Sequence, residues 1–265
     1  GRARLSPRPI SQPWLLEAVG TARWRGTPLR PLLEEAGLGE DAREIVFTGL
    51  DRGIEKGVEQ VYERALSLDA GLADDVLLAY EMNGAPLLPQ HGFPLRLLVP
   101  GWYGMTNVKW LAAITVVSEP FAGYQQTESY RLRADEDDEG SLVTRMQPRA
   151  LLVPPGIPDF HTRVRTIPRG THRLQGRAWS GWARVTRVEV STDDGETWSE
   201  AALEPAGSRW AWRGWTFDWQ ADEPGDHILC CRAKDEAGNG QPDEPPWNVG
   251  GYLNNAIQRV PVTVR

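Results

Sequence analysis

Cysteine is nearly absent from this sequence, and the only two, Cys230 and Cys231, are adjacent. Neighbouring cysteines cannot form an ordinary disulfide with each other without severe distortion. They sit in the apolar run HILCCRAKD, which reads as a strand holding two inert, buried thiols. No Cys/His spacing resembles a zinc site, so the chain supplies no complete protein metal site of its own. No apolar run approaches the roughly 20 residues that span a bilayer, so no membrane partner is expected. Basic residues do not predominate either: 29 Lys and Arg stand against 36 Asp and Glu, a net charge of −7. That balance argues against a nucleic-acid surface, which needs a concentrated basic face. The opening GRARLSPRP has neither Met nor an apolar leader segment, reads as a fragment or processed form, and leaves the compartment open.

What is present divides in two. The 265 residues suffice for one large domain or two ordinary ones. Twelve tryptophans are unusual, and eight of them follow residue 175. In the first half, Leu29, Leu32 and Leu33 with Gly37 closing give a helical period, and Thr27–Pro28 reads as its N-cap and first helical position. EIVFTGL (44–50) predicts a strand, and VKWLAAITVV (108–117) a strand or a short helix leading into one. This is an α+β pattern without clean βαβ alternation. The acidic stretch RADEDDEGSLVT reads as a linker or long surface loop. Beyond it, ARVTRVEVSTDDGETW, RWAWRGWTFDWQ and AIQRVPVTVR alternate apolar and polar residues between Gly-, Asp- and Pro-rich turns. Asp193–Asp194–Gly195 is a hairpin signal. Short strands at such spacing predict an immunoglobulin-like β-sandwich. The expected domains are therefore 1–138 and 139–265.

One segment stands out: HGFPLRLLVPGWYGMTNVKW (91–110). Its run Leu95–Val99 predicts a buried strand, yet Arg96 lies inside it. Burying a guanidinium costs several kcal/mol unless it finds a partner. Lys109 and Arg96 flank a loop with Gly101 and Gly104, where backbone N–H groups can approach a ligand closely. Cations beside such a loop predict a site for an anionic cofactor or substrate.

This segment, with LAYEMNG before it, resembles the molybdenum-cofactor domain of the sulfite oxidase family, which includes the plant-type nitrate reductases. AVGTARWRGTPLRPLLEEAG resembles the segment near the start of that domain. GRAWSG, VEVSTDDGETW, CRAKDEAGNGQP and WNVGGYLNNAIQRV resemble the family's immunoglobulin-like dimerisation domain. The resemblance implies a mixed α/β molybdopterin-binding domain followed by an all-β sandwich, and a homodimer through the latter. It implies a molybdenum-molybdopterin cofactor held by His91 and Arg96 and by the loop Asn107, Val108 and Lys109. It places Arg2, Trp14 and Tyr130 in the substrate pocket, for a two-electron oxidation of sulfite or a related small sulfur oxyanion with oxygen-atom transfer. With no haem or flavin domain in the chain, a separate electron acceptor such as a cytochrome is expected.

Two departures temper what is carried over. The family ligates molybdenum through Cys-Ala-Gly-Asn-x-Arg, and Gly1–Arg2–Ala3 resembles that motif from its fifth position. The soft thiolate ligand is thus expected upstream of Gly1. Gly250 in WNVGG stands where the animal enzymes carry Arg, which removes one positive charge from the pocket. A non-catalytic dimerising remnant, or a same-fold oxidoreductase for another oxyanion or sulfur substrate, stays open beside the leading reading.

Overall fold

The computed structural model describes residues 2–9, 12–16, 18–55 and 57–265. Gly1, with its resemblance to the ligating motif, lies outside them. The chain forms two compact units: residues 20–145 with 248–252, and residues 1–19, 146–247 and 253–265.

The first unit is mixed α and β. In one sheet, Leu77–Met82 pairs antiparallel with Trp24–Pro28, Ala85–Pro86 and Arg96–Leu98. In the other, Glu44–Glu55 lies between Val58–Ser67 and Leu111–Val117, again antiparallel. The continuous apolar run Ile45–Val46–Phe47 is buried throughout, as the middle strand of a covered sheet requires. The helix Leu29–Ala36 buries Leu29 and Leu33, one turn apart on one face. They join Ile45, Phe47, Leu66, Val76, Leu97, Val99 and Val108 in a single core. Each fully buried side chain of this kind contributes about 1.5–3 kcal/mol.

Several sequence expectations shift here. Pro28 is the N-cap rather than the first helical residue, with an extended ψ of 140°. It is still paired with Leu77 as the last residue of its strand, so the helix cannot begin until Leu29. Of the two readings of the acidic stretch, the surface loop holds and the linker does not: Arg131–Leu132 pairs with Ser141–Leu142, and the acidic residues form the hairpin loop between them. The break expected after 138 falls inside that loop, and the unit runs on to Arg145. Residues 1–19 cluster with the sandwich instead of the mixed unit. There the Trp247 indole donates to Pro7 O at 2.8 Å.

The second unit is a β-sandwich. A four-stranded sheet contains Arg149–Val153, Gly170–Trp179, Arg213–Ala221 and Ala202–Leu203. A six-stranded sheet contains Ile157–Pro158, Arg165–Ile167, Gln258–Val264, Gly225–Asp235, Val185–Ser191 and Ser199–Glu200. Alternate residues Leu174, Gly176 and Ala178 point inward, the period of two predicted for a half-buried strand. Trp215 is fully buried and Trp219 nearly so, whereas Trp182 is 43% exposed. Val185–Ser191 turns back to Ser199–Glu200 through the Asp-Asp-Gly signal, with Asp194 and Gly195 both at positive φ. Cys230 and Cys231 are buried in the strand Gly225–Asp235. Burial pushes the Cys230 thiol up to about 11 and Cys231 higher still, which keeps both protonated and unreactive.

Candidate cofactor and anion site

His91 ends the short 3-10 turn Pro89–His91, which closes on Gly92 in the left-handed region, φ 101°. A Cβ at Gly92 would lie 2.9 Å from Lys109 Cβ. Glycine there permits both the turn and the close approach of the Lys109 segment. Three donors then bind three successive carbonyls of the turn. The Trp110 indole donates to Pro89 O at 2.8 Å, Lys109 Nζ to Gln90 O at 3.1 Å, and Arg96 Nη1 to His91 O at 2.9 Å.

Arg96 also donates through Nη2 to Asn107 O at 3.1 Å, and its guanidinium lies 5.0 Å from the Trp24 ring centroid. The burial cost that the sequence assigned to an anionic partner is therefore offset partly by carbonyls and an aromatic face. The charge itself is not offset: every hydrogen-bond partner of Arg96 and Lys109 among the described residues is a neutral carbonyl. Burial disfavours the charged form of Arg96 and lowers its pKa, yet a guanidinium stays protonated.

Asn107 and Val108 shape this loop from within. Asn107 Oδ1 accepts from Val99 N at 2.7 Å, and Val108 O accepts from Leu97 N at 2.8 Å. Their own N–H groups are spent on Gly104 O and Thr106 O. The Val108 side chain belongs to the core. Both residues thus fix the loop that presents Lys109, and neither N–H is left for a ligand.

Tyr130 lies elsewhere in the same unit, at positive φ between the short helix Tyr124–Thr127 and the hairpin. Its ring stands 5.5 Å from that of Tyr252, and Tyr252 Oη meets the Tyr130 N–H at 3.4 Å. Tyr62 Oη donates to Met105 O at 2.6 Å and is hydrogen-bonded to the Tyr130 side chain. Burial and the neighbouring Tyr130 raise the Tyr62 pKa well above the usual tyrosine range. At Gly250 a Cβ would lie 2.3 Å from the Tyr252 ring, so that ring occupies the space a side chain at 250 would need.

Arg2 and Trp14 belong to the sandwich-containing unit. Ala3 N donates to Trp14 O at 3.1 Å, which draws the chain at Arg2 beside Trp14. Trp14 is 55% exposed. The structure thus bonds the chain next to Arg2 to Trp14 through the backbone, and separately groups His91, Arg96, Asn107 and Lys109.

Three residues of these groups escaped the sequence reading. Trp24 stacks on Arg96, Tyr252 packs on Tyr130, and Arg64 lies 5.7 Å from the Tyr130 ring centroid. Arg64 carried a usable signal, since an arginine within the run Tyr62–Leu66 poses the same burial problem as Arg96.

Among the described residues no group of three or more His, Cys, Asp or Glu could hold a metal ion. The loop 89–110 instead gathers the cations Arg96 and Lys109, whose hydrogen-bond partners are neutral carbonyls, a charge suited to a large anionic group such as a phosphorylated pterin.

Comparison with known proteins agrees with this chemistry. Residues 1–125 match the oxidoreductase molybdopterin binding domain, and residues 156–265 match the Mo-co oxidoreductase dimerisation domain. The mitochondrial sulfite oxidase of Rattus norvegicus is 38% identical over 95% of this chain and 48% of its own length. An inducible NADH nitrate reductase of Glycine max is 31% identical over 95% of this chain and 31% of its own length. The chain spans about half or less of the curated relatives it matches. Among solved structures, the sulfane dehydrogenase SoxCD of Paracoccus pantotrophus superposes with a TM-score of 0.77 at 28% identity, covering 92% of this chain and 62% of that one. With both domain models matched in order, the chain belongs to the sulfite oxidase family of molybdopterin-binding oxidoreductases.

Proposed function

We propose that the chain is the catalytic core of a molybdenum-cofactor enzyme that oxidises sulfite or a closely related sulfur compound. The observation that carries this reading is the cationic turn 89–110, in which Arg96 and Lys109 have only neutral carbonyl partners. His91, Arg96 and Lys109 would hold the pterin and its phosphate. When bound, the cofactor supplies two-electron oxidation with oxygen-atom transfer.

The residues of the chain do the rest. Arg96 and Lys109 neutralise the anionic pterin while bracing the turn that presents His91. Tyr130 carries a phenolic O–H that can donate to an arriving oxyanion. Arg2 and Trp14 are assigned to substrate contact by resemblance alone, Arg2 through charge-assisted hydrogen bonds to substrate oxygens. Electrons leave to a separate acceptor such as a cytochrome, and the dimerisation domain pairs two copies of the chain.

The test is turnover by the molybdenum-loaded, full-length gene product that contains this chain, with an artificial one-electron acceptor. Sulfite-dependent, saturable reduction is expected. Reduction driven by thiosulfate but not sulfite would move the substrate to a sulfane sulfur. A loaded protein silent with both would contradict the reading.

A further inference from the structure

Arg64 is 2% exposed, the second-largest fully buried side chain among the described residues. It projects from the strand Val58–Ser67 in the run YERAL, where Arg64, Ala65 and Leu66 are buried in succession. Its guanidinium Nη1 donates to Gln125 O, and its Nε is buried without a partner. No ion pair is formed with it among the described residues. Among the described residues, the ionisable groups that act on it are the phenols of Tyr62, Tyr130 and Tyr252, and none is a carboxylate. A buried charge without a counter-ion costs several kcal/mol, and a guanidinium cannot escape by losing its proton. Nothing in its core packing requires a cation, since Ala65 and Leu66 beside it fill space with hydrocarbon.

The surroundings are built to hold the guanidinium in place. Gln126, itself buried, exchanges hydrogen bonds with both backbone groups of Ala65, at 3.4 and 3.5 Å, and pins the helix Tyr124–Thr127 to the strand. That helix supplies the Gln125 carbonyl that fixes Nη1. On the other side stand the Tyr130 and Tyr252 rings, both half-buried. Arg131 and Arg133 follow Tyr130 in the chain, and their guanidinium groups donate to the carbonyls of Gln126, Glu139, Gly140 and Thr127. A fixed, unneutralised cation behind two phenols attracts a small anion to their face and repels small cations.

We propose that Arg64 is a specificity-determining positioning residue: its buried charge draws a small inorganic oxyanion to the face of Tyr130 and Tyr252. The oxyanion class covers sulfite and its product sulfate. This rests on the proposed function for its link to turnover, but the anion site itself can be tested apart from it.

The experiment uses the molybdenum-loaded full-length protein with Arg64→Met and Arg64→Lys. Loss of the buried charge predicts that Arg64→Met raises the KM for sulfite, and the inhibition constant for sulfate, by roughly ten- to a hundredfold. The kcat changes less, pterin content stays at the wild-type level, and Arg64→Lys recovers most of the loss. Unchanged KM and sulfate inhibition in Arg64→Met would overturn the proposal. A loss of pterin instead would also overturn it, since Arg64 would then serve the cofactor. Should the wild type not turn over sulfite, sulfate at matched ionic strength still raises its melting temperature in this account, and raises that of Arg64→Lys but not Arg64→Met. A wild type indifferent to sulfate, or a Met variant equally stabilised, would overturn the anion site by itself.

Discussion

Arg96 and Arg64 present one physical problem with two solutions. Arg64 is buried and Arg96 half-buried, each a guanidinium on a strand of the mixed unit. Arg96 has carbonyl partners on either side and an indole face, so its charge is braced where a ligand can meet it. Arg64 keeps an unpartnered Nε. Asp193 shows the opposite case, a carboxylate with every partner it needs. Hydrogen bonds from Ser191 and Thr197 hold its pKa down to about 2. An unfolded Asp titrates near about 3.9, so the folded state binds fewer protons between the two values. The stability this group contributes is complete above the unfolded value and is lost as pH falls through about 2. Asp193→Asn is therefore expected to destabilise the protein at neutral pH, with the gap to wild type narrowing from about pH 7 to about pH 3 in denaturant titrations. A gap of constant size over that range would show that the carboxylate charge contributes nothing. Arg96 was legible in the sequence because its neighbours are plainly apolar. Arg64 was not singled out because Glu63 and Gln60 make its strand read as polar.

At the scale of elements, the loop proposed to face the anion depends on one turn. The carbonyls of Pro89, Gln90 and His91 converge on three donors because Gly92 lets the turn close against Lys109. Gly92→Ala puts a Cβ at a φ of 101° and 2.9 Å from Lys109 Cβ. Left-handed strain alone costs about 1–3 kcal/mol. A drop in unfolding free energy of that size is expected by urea titration, with weaker pterin retention alongside. Unaltered stability would mean that the turn is not held as described. Strands such as Glu44–Glu55 and the hairpin at Asp193–Gly195 could be read from apolar runs and turn residues. The pairing of Arg131–Leu132 with Ser141–Leu142 could not. An acidic run looks the same as linker or as hairpin loop until a long-range partner decides it. The same holds for residues 248–252, which cluster with the mixed unit through bonds such as Val249 N to Arg133 O at 3.0 Å.

For the whole molecule, the order of the two domains was legible, whereas their boundaries were set by contacts no local pattern encodes. The tryptophan excess is explained in part by the core: Trp215 and Trp219 are buried, while Trp182 and Trp247 are exposed. With Val153, Ile157 and Phe160 also exposed, the sandwich unit presents apolar surface of the kind that association buries. Light scattering of the 265-residue chain is expected to give twice its 29.5 kDa mass. A strict monomer at high micromolar concentration would rule out pairing through this unit alone.

The central claim is that the turn 89–110 holds a molybdopterin by its unpaired positive charge. The most direct measurement is the pterin and molybdenum content of the full-length gene product, compared between wild type and an Arg96→Met/Lys109→Met double variant expressed in a cofactor-producing host. The account predicts near-stoichiometric pterin and molybdenum in the wild type. In the double variant, loss of charge-assisted contacts of about 1.5–3 kcal/mol each should reduce both at least tenfold while the protein still folds. Equal pterin content in a folded double variant would contradict it.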